Sequence, residues 1–197
     1  SAPAPVQRRD GPLQILHVGK LGQPRKNHLQ LLDILERVLV DADVELRFVG
    51  GLTEATPHTR ALLEAIADRG LTERVAVVAN VPHARMRTLY READVFVLNS
   101  HDEPAAFSFL EAMSVGTPVI VTADNGTTRY ITDGEDGLVV DPADPASLEA
   151  ALRRLLEDAE DRRALGEAGR RTIADEHDPD HWARRFLAIV EEASVRG

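Results

Sequence analysis

Residues 95–121 read VFVLNSHDEPAAFSFLEAMSVGTPVIV. The run VFVL at 95–98 is strand-sized and apolar without alternation, which predicts burial on both of its faces. A polar loop follows at 99–107, then an amphipathic segment at about 108–115, then a second apolar run, PVIV, at 118–121. Two doubly buried strands joined through a helix belong to a parallel sheet sandwiched between helices.

Outward from this unit the same pattern repeats. Apolar runs lie at 13–18 (LQILHV), 44–49 (VELRFV), 75–78 (VAVV) and 138–140 (LVV), with amphipathic, helix-length segments at about 27–40, 58–69 and 84–92 between them. Further helices are predicted at about 145–157, 160–175 and 179–194, the last placing Trp182, Phe186, Ile189 and Val190 near helical spacing as a packing stripe. The expected fold is α/β: a doubly wound, parallel, six-stranded sheet with extra C-terminal helices. Residues 1–12, SAPAPVQRRDGP, read as a flexible leader or linker remnant, leaving 13–197 as the folded domain. Ligands bind such sheets outside the carboxyl ends of the strands, so the loops at 19–26, 50–57, 79–83, 99–107 and 122–127 should share one rim.

Composition narrows the function. A formal net charge of −10 without a basic run argues against nucleic acid as a partner, and no stretch approaches the roughly 20 apolar residues that cross a bilayer. The absence of cysteine rules out disulfides and thiolate zinc sites and fits a cytoplasmic setting. Lys20 and Lys26 are the only lysines, and both fall in the loop GKLGQPRKNH after the first strand. There Gly19 and Gly22 give the backbone freedom to approach an anion, and a helix start near Asn27 adds partial positive charge, so the loop resembles a diphosphate cradle. A solvated basic turn is the alternative.

The loop after VFVL carries a more specific pattern. Glu103 precedes the helix and Glu111 lies about two turns into it, with seven residues between them. Carboxylates accept paired hydrogen bonds from vicinal hydroxyls, so one near a hexose and one near a ribose would bracket a nucleotide sugar. Ala105, Ala106 and Ser108 between them are small enough for main-chain amides to close on a sugar or diphosphate. A capping acid plus an ordinary surface glutamate is the competing reading.

With HVGKL at 17–21, LRFVGG at 46–51, RVAVVANVP at 74–82, LYREADVFVLNSHDEP at 89–104, LEAMSVGTPVI at 110–120 and DGEDGLVVDPADPASLEAAL at 133–152, the chain resembles the carboxyl-terminal domain of family 4 of the retaining glycosyltransferases. That family has two Rossmann-like domains and includes sucrose, glycogen and mannosyl-lipid synthases; the resemblance runs from about Ile15 to Trp182. It implies a Rossmann-like sheet that binds a nucleotide-diphosphate sugar, UDP- or GDP-linked, with no metal or other cofactor required. It implies that Lys20 and Lys26 hold the diphosphate beside Gly19, that Glu103 meets sugar hydroxyls and that Glu111 holds the ribose. The backbone of Asn80, Val81 and Pro82 would flank the base, and Ala106, Phe107 and Ser108 would close on the donor. The acceptor-binding N-terminal domain, which in relatives also supplies a histidine contact, would be a separate partner of the parent chain, so transfer by this piece alone is not expected.

Three positions depart from the family pattern. Lys20 replaces a usual arginine, exchanging a planar fork for a compact charge; Ala106 replaces a usual glycine; and Arg129, with Asn125 and Gly126, occupies a loop that usually carries an acid. These changes motivate a second reading, a non-catalytic interaction domain that kept the fold and lost donor binding; a nucleotide-sugar epimerase or phosphorylase is a third. Asp41 and Asp43, an Asp-Ala-Asp triplet with the look of a metal–nucleotide motif, fall between a helix and a strand and read as a solvated turn on the far rim. His177 and His181 straddle Pro179 and make a poor zinc pair, and His101 and Asp102 either touch ligand or pack their loop.

Overall fold

The computed structural model describes residues 11–52 and 54–176. Its strands are β1 (Leu13–Val18), β2 (Val44–Gly50), β3 (Val75–Ala79), β4 (Val95–Leu98), β5 (Val119–Thr122) and β6 (Leu138–Val140). Its helices are α1 (His28–Val38), α2 (Pro57–Asp68), α3 (His83–Glu92), α4 (Ser108–Ser114), α5 (Pro145–Glu157) and α6 (Ala159–Glu176). The strands form one six-stranded sheet in the order β3-β2-β1-β4-β5-β6, and every pairing is parallel. The helix expected at 179–194, with its stripe, and the histidines at 177 and 181 lie outside the described residues, as do residues 1–10 of the expected leader.

Continuous apolar strands produce this sandwich because successive side chains leave opposite faces of the sheet. β4 and β5 are buried at every position. Ile15, Val95, Val97 and Ile120 enter one core with Leu31 and Leu35 of α1, Leu62 of α2 and Leu152 of α5. Their neighbours Leu16, Phe96, Leu98, Val119 and Val121 enter the other with Tyr90 of α3 and with Phe109 and Met113 of α4. Truncating one of these leucines to alanine costs about 2–5 kcal/mol, so the two-sided core dominates stability.

The helix starts follow local chemistry. Thr56 caps α2, its hydroxyl accepting from Thr59 N at 3.1 Å, and Asp144 caps α5 by accepting from Ala146 N at 3.0 Å; Pro57 and Pro145 occupy the first turns, where no amide donor is needed. On the amino-terminal rim, Asp41 pairs with Arg153 at 2.8 Å and Asp43 with Arg74, so the Asp-Ala-Asp triplet is a surface ion-pair turn. At the opposite rim the chain leaves β1 towards β2 on one side, while β4 runs on to β5 on the other. The topological switch point, where such sheets bind ligands, therefore falls between the loops after β1 and β4.

Candidate active site

The five loops at the carboxyl ends of β1 to β5 are tied to one another in sheet order. Asn80, left-handed at φ 55, donates from Nδ2 to Leu52 O at 2.7 Å and accepts from Leu52 N at 3.0 Å, joining the loops after β3 and β2. Thr56 Oγ1 donates to Gly22 O at 3.4 Å and Thr59 Oγ1 to Leu21 O at 3.3 Å, joining the β2 and β1 sides. Across the switch point, His101 N donates to Arg25 O at 2.8 Å and Asn99 Nδ2 to Asn27 O at 3.1 Å. Gly126 N donates to Glu103 O at 2.9 Å and completes the series. The expected common rim is thus one hydrogen-bonded surface.

Two glycines permit the closest approaches along it. A Cβ on Gly50 would lie 1.7 Å from Gly19 O, and one on Gly126 would lie 2.2 Å from Pro104 O, so both backbones pass where any side chain would collide.

At the switch point the Lys26 ammonium donates to Glu103 Oε2 at 2.5 Å, although 77 residues separate them. Pro24–Lys26 form a single 3₁₀ turn ended by Asn27, left-handed at φ 56, and this turn sends Lys26 inward until it is 7% exposed; Glu103 is 5% exposed. Two charges so deeply buried are held only as a pair, because removing either leaves an uncompensated ion. Arg25 Nη1 approaches the same oxygen from the solvent side at 3.0 Å and Asp102 O at 3.3 Å. Gly19 lies against Lys26, where a Cβ would meet Lys26 Cδ at 2.9 Å, and Lys20 is exposed on the same loop.

Glu111 is in the first turn of α4 rather than two turns in, although the helix starts at Ser108 as expected, and it faces a different wall. It accepts from the Tyr90 hydroxyl at 2.7 Å inside a groove of about 260 Å³ between α3 and α4, lined also by His83, Met86, Arg87, Ser114 and Val115. Burial, then the adjacent carboxylate, pushes the Tyr90 phenol above its ordinary value, so the hydroxyl stays a donor. Pro82 is the residue before α3 and leads from Asn80 and Val81 into this groove. Among the remaining expected contacts, the Ala106 amide donates to Thr127 Oγ1 at 3.3 Å, Phe107 is 64% exposed at the start of α4, and Ser108 is half-buried beside it. Arg129 lies 4.9 Å over the ring of its neighbour Tyr130 and bonds its hydroxyl at 2.9 Å. No group of three or more His, Asp or Glu side chains with metal-binding geometry occurs among the described residues.

A family model for the glycosyl transferases of group 1 matches residues 2–172. The chain belongs to this family. Over 193 residues it is 29% identical to the MMP alpha-(1->4)-mannosyltransferase of Mycolicibacterium hassiacum, covering 96% of this chain and 46% of that relative. Sucrose-phosphate synthase from Thermosynechococcus elongatus superimposes with a TM-score of 0.79 at 27% identity, over 95% of this chain and 47% of that one. An Anabaena protein, HepE, solved in complex with UDP-glucose, superimposes with a TM-score of 0.79 at 20% identity, over 92% and 49% of the two chains. The chain therefore spans about half the length of each of these three proteins.

Two features of this group 1 domain escape the motif reading. Arg25 stands beside Lys26 in the sequence, but only the 3₁₀ turn, which rotates successive residues by about 120°, makes one point inward and the other outward onto the same carboxylate. Behind Lys26, His17 and His28 are fully buried with ring centroids 4.8 Å apart, and His28 Nδ1 lies 3.0 Å from His58 Nε2. The ring nitrogens of His17 make no well-formed hydrogen bond, although the Lys26 backbone approaches them. Burial, then the neighbouring His28 and Lys26, holds His17 well below the ordinary value; burial, then His58 and Lys26, pushes His28 down to about 3. Both rings are therefore neutral at pH 7.

Proposed function

We propose that this domain is the donor half of a retaining hexosyltransferase and binds a nucleotide-diphosphate sugar, UDP- or GDP-linked, in the crevice between the loops after β1 and β4. The observation that supports it best is the buried contact of Lys26 with Glu103 at the switch point of a group 1 fold, where a cation and a carboxylate from distant motifs meet at one cleft. In this reading Lys20 and Lys26 take the diphosphate, with the backbone at Gly19 beside it. Glu103 accepts from sugar hydroxyls, with Ala106, Phe107 and Ser108 framing the sugar. Glu111, oriented by Tyr90, accepts from the ribose in the groove between α3 and α4, while Asn80, Val81 and Pro82 flank the base. Asn80 does so through the backbone, since its side-chain amide is committed to Leu52.

Catalysis then follows from where charge develops. As the glycosidic bond lengthens, negative charge accumulates on the leaving diphosphate, so contacts from Lys20 and Lys26 strengthen towards the transition state. Side-chain cations carry that role without a divalent metal. The acceptor hydroxyl attacks from the face the leaving group vacates and anomeric configuration is retained. The acceptor would be presented by an N-terminal domain of the parent protein, in the cytoplasm. The Anabaena structure of the same fold holds UDP-glucose, which supports a nucleotide sugar as ligand.

Isothermal titration of the chain with UDP, GDP and ADP tests this. Binding of one nucleotide, weakened at least tenfold in Glu111→Ala, is expected, since a carboxylate hydrogen bond contributes about 1.5–3 kcal/mol. No heat from any of the three at millimolar concentration would contradict the reading.

A further inference from the structure

Glu103 receives both of its cations on one oxygen. Lys26 reaches Oε2 from the protein side at 2.5 Å and Arg25 reaches it from the solvent side at 3.0 Å. The guanidinium of Arg25 also binds the Asp102 carbonyl at 3.3 Å, and its own carbonyl accepts from His101 N at 2.8 Å. Asp102 is left-handed at φ 46, so the loop that presents Glu103 turns sharply at the point where Arg25 grips it. A carboxylate has about four lone-pair directions; two cations converging on Oε2 fix the plane of the group and leave Oε1 as the acceptor for a further donor.

We propose that Arg25 is a positioning residue for sugar recognition: by sharing Oε2 with Lys26 and clasping the Asp102 carbonyl, it sets the rotamer of Glu103 so that Oε1 accepts from a hydroxyl of the donor sugar. The proposal rests on the donor-binding reading above. It assigns Arg25 a task distinct from that of Lys26. Lys26 is buried and lies against Gly19, where the donor-binding reading puts the diphosphate, whereas Arg25 has a side chain 39% exposed and adds the Asp102 carbonyl to the carboxylate contact that it shares with Lys26. Both contacts come from Nη1, whose two hydrogens are fixed in the guanidinium plane; Arg25→Lys keeps a charge for Oε2 but replaces that fixed planar geometry with a freely rotating ammonium. Because its head group is partly in solvent, its removal is compatible with the fold.

The test compares a nucleoside diphosphate with its sugar ester. Calorimetry on the unmodified chain, Arg25→Gln and Arg25→Lys uses UDP and UDP-glucose, or GDP and GDP-mannose if the chain prefers guanine, with a thermal melt of each variant. Arg25→Gln is expected to lose about tenfold in affinity for the nucleotide sugar, the value of one charge-assisted hydrogen bond, while its affinity for the free diphosphate stays within about twofold. Arg25→Lys recovers part of the loss, and the melting temperatures agree. Equal losses for both ligands, or none for either, overturn the proposal while leaving donor binding standing. Failure of the unmodified chain to bind any of the four overturns both.

Discussion

Lys26 Nζ and Glu103 Oε2 lie 2.5 Å apart beneath the surface of the crevice, and both side chains are more than nine-tenths buried. A pair in this position is retained against a desolvation cost of several kcal/mol for each ion, which apolar residues of similar volume would avoid. In the donor-binding reading its benefit is chemical: a cation and an acceptor fixed side by side at the switch point.

The first prediction separates those two roles. Lys26→Met should destabilise the domain by about 3 kcal/mol, the cost of leaving a buried partner short of its ion, softened by Arg25, which still reaches Glu103. Adding Glu103→Leu should restore most of that stability. Urea denaturation measures both. Nucleotide affinity, in contrast, should stay lost in the double variant, and recovery of binding there would detach Lys26 from the ligand.

A second prediction concerns acid. His17 and His28 are neutral in the fold, with His28 pushed down to about 3, whereas both titrate near 6.5 once unfolded. Protons are therefore taken up preferentially by the unfolded chain below about pH 6.5. Stability should be full above that value and fall as pH drops towards 3, by about 2 kcal/mol at about pH 5 from His28, with His17 acting in the same direction. The carboxylates whose values are lowered by arginine partners, Glu149, Glu167 and Asp161, begin to contribute their own loss only nearer their ordinary range of about 4.5 and 3.8. The interval from pH 6.5 to 5 thus belongs to the histidines. Urea midpoints across it should slope in the natural chain and slope less in His28→Leu, where His17 and His58, also lowered by burial, remain; an unchanged slope would mean that the His28 ring is not held neutral by burial.

Gly126→Ala supplies a third. The added methyl meets a main-chain oxygen, Pro104 O, rather than the end of a flexible side chain, so the Glu103 loop must shift. A loss of about 1–3 kcal/mol in stability is expected, together with weaker nucleotide-sugar binding. Gly134→Ala is the contrasting case: unlike Gly126 it is left-handed, at φ 78, but no atom lies within 4 Å of the added methyl. It should leave binding unchanged.

Tyr90→Phe removes the hydroxyl that orients Glu111 and nothing else from the α3–α4 groove. Free-nucleotide affinity should fall about threefold to tenfold while the fold is kept, since the ring still packs 5.9 Å from Phe96. Calorimetry that found the same affinity for Tyr90→Phe and the natural chain would take Glu111 out of the binding surface.

The order of elements was legible in the sequence because doubly buried strands read as unbroken apolar runs separated by helix-length amphipathic segments. Each predicted strand and helix within the described residues appears to within a few residues of its predicted bounds. The site was legible only as far as motifs carry. The sequence placed Lys26 and Glu103 on neighbouring rim loops, but their contact depends on a 3₁₀ turn ended by a left-handed Asn27, which no periodicity announces. Asn80 was read for its backbone; its side chain proves to be a clamp on Leu52, visible only once β2 and β3 are seen to pair. His17 and His28 lie 11 positions apart on a strand and a helix, and their packing against each other and Phe48 is a tertiary fact. Glu111 was read about two turns into its helix, although the expected start near 108 already puts it in the first turn, where the structure has it.

The central claim is that one crevice, built from the loops after β1 and β4 and the α3–α4 groove, takes the donor. Amide chemical-shift mapping by NMR, with the ¹⁵N-labelled chain titrated with its preferred nucleoside diphosphate, tests it residue by residue. Shifts confined to 19–26, 80–90 and 99–111 are the predicted result. Shifts centred on the opposite rim around Asp41 and Asp43, or scattered without reference to Lys26, Glu103 and Glu111, would contradict it.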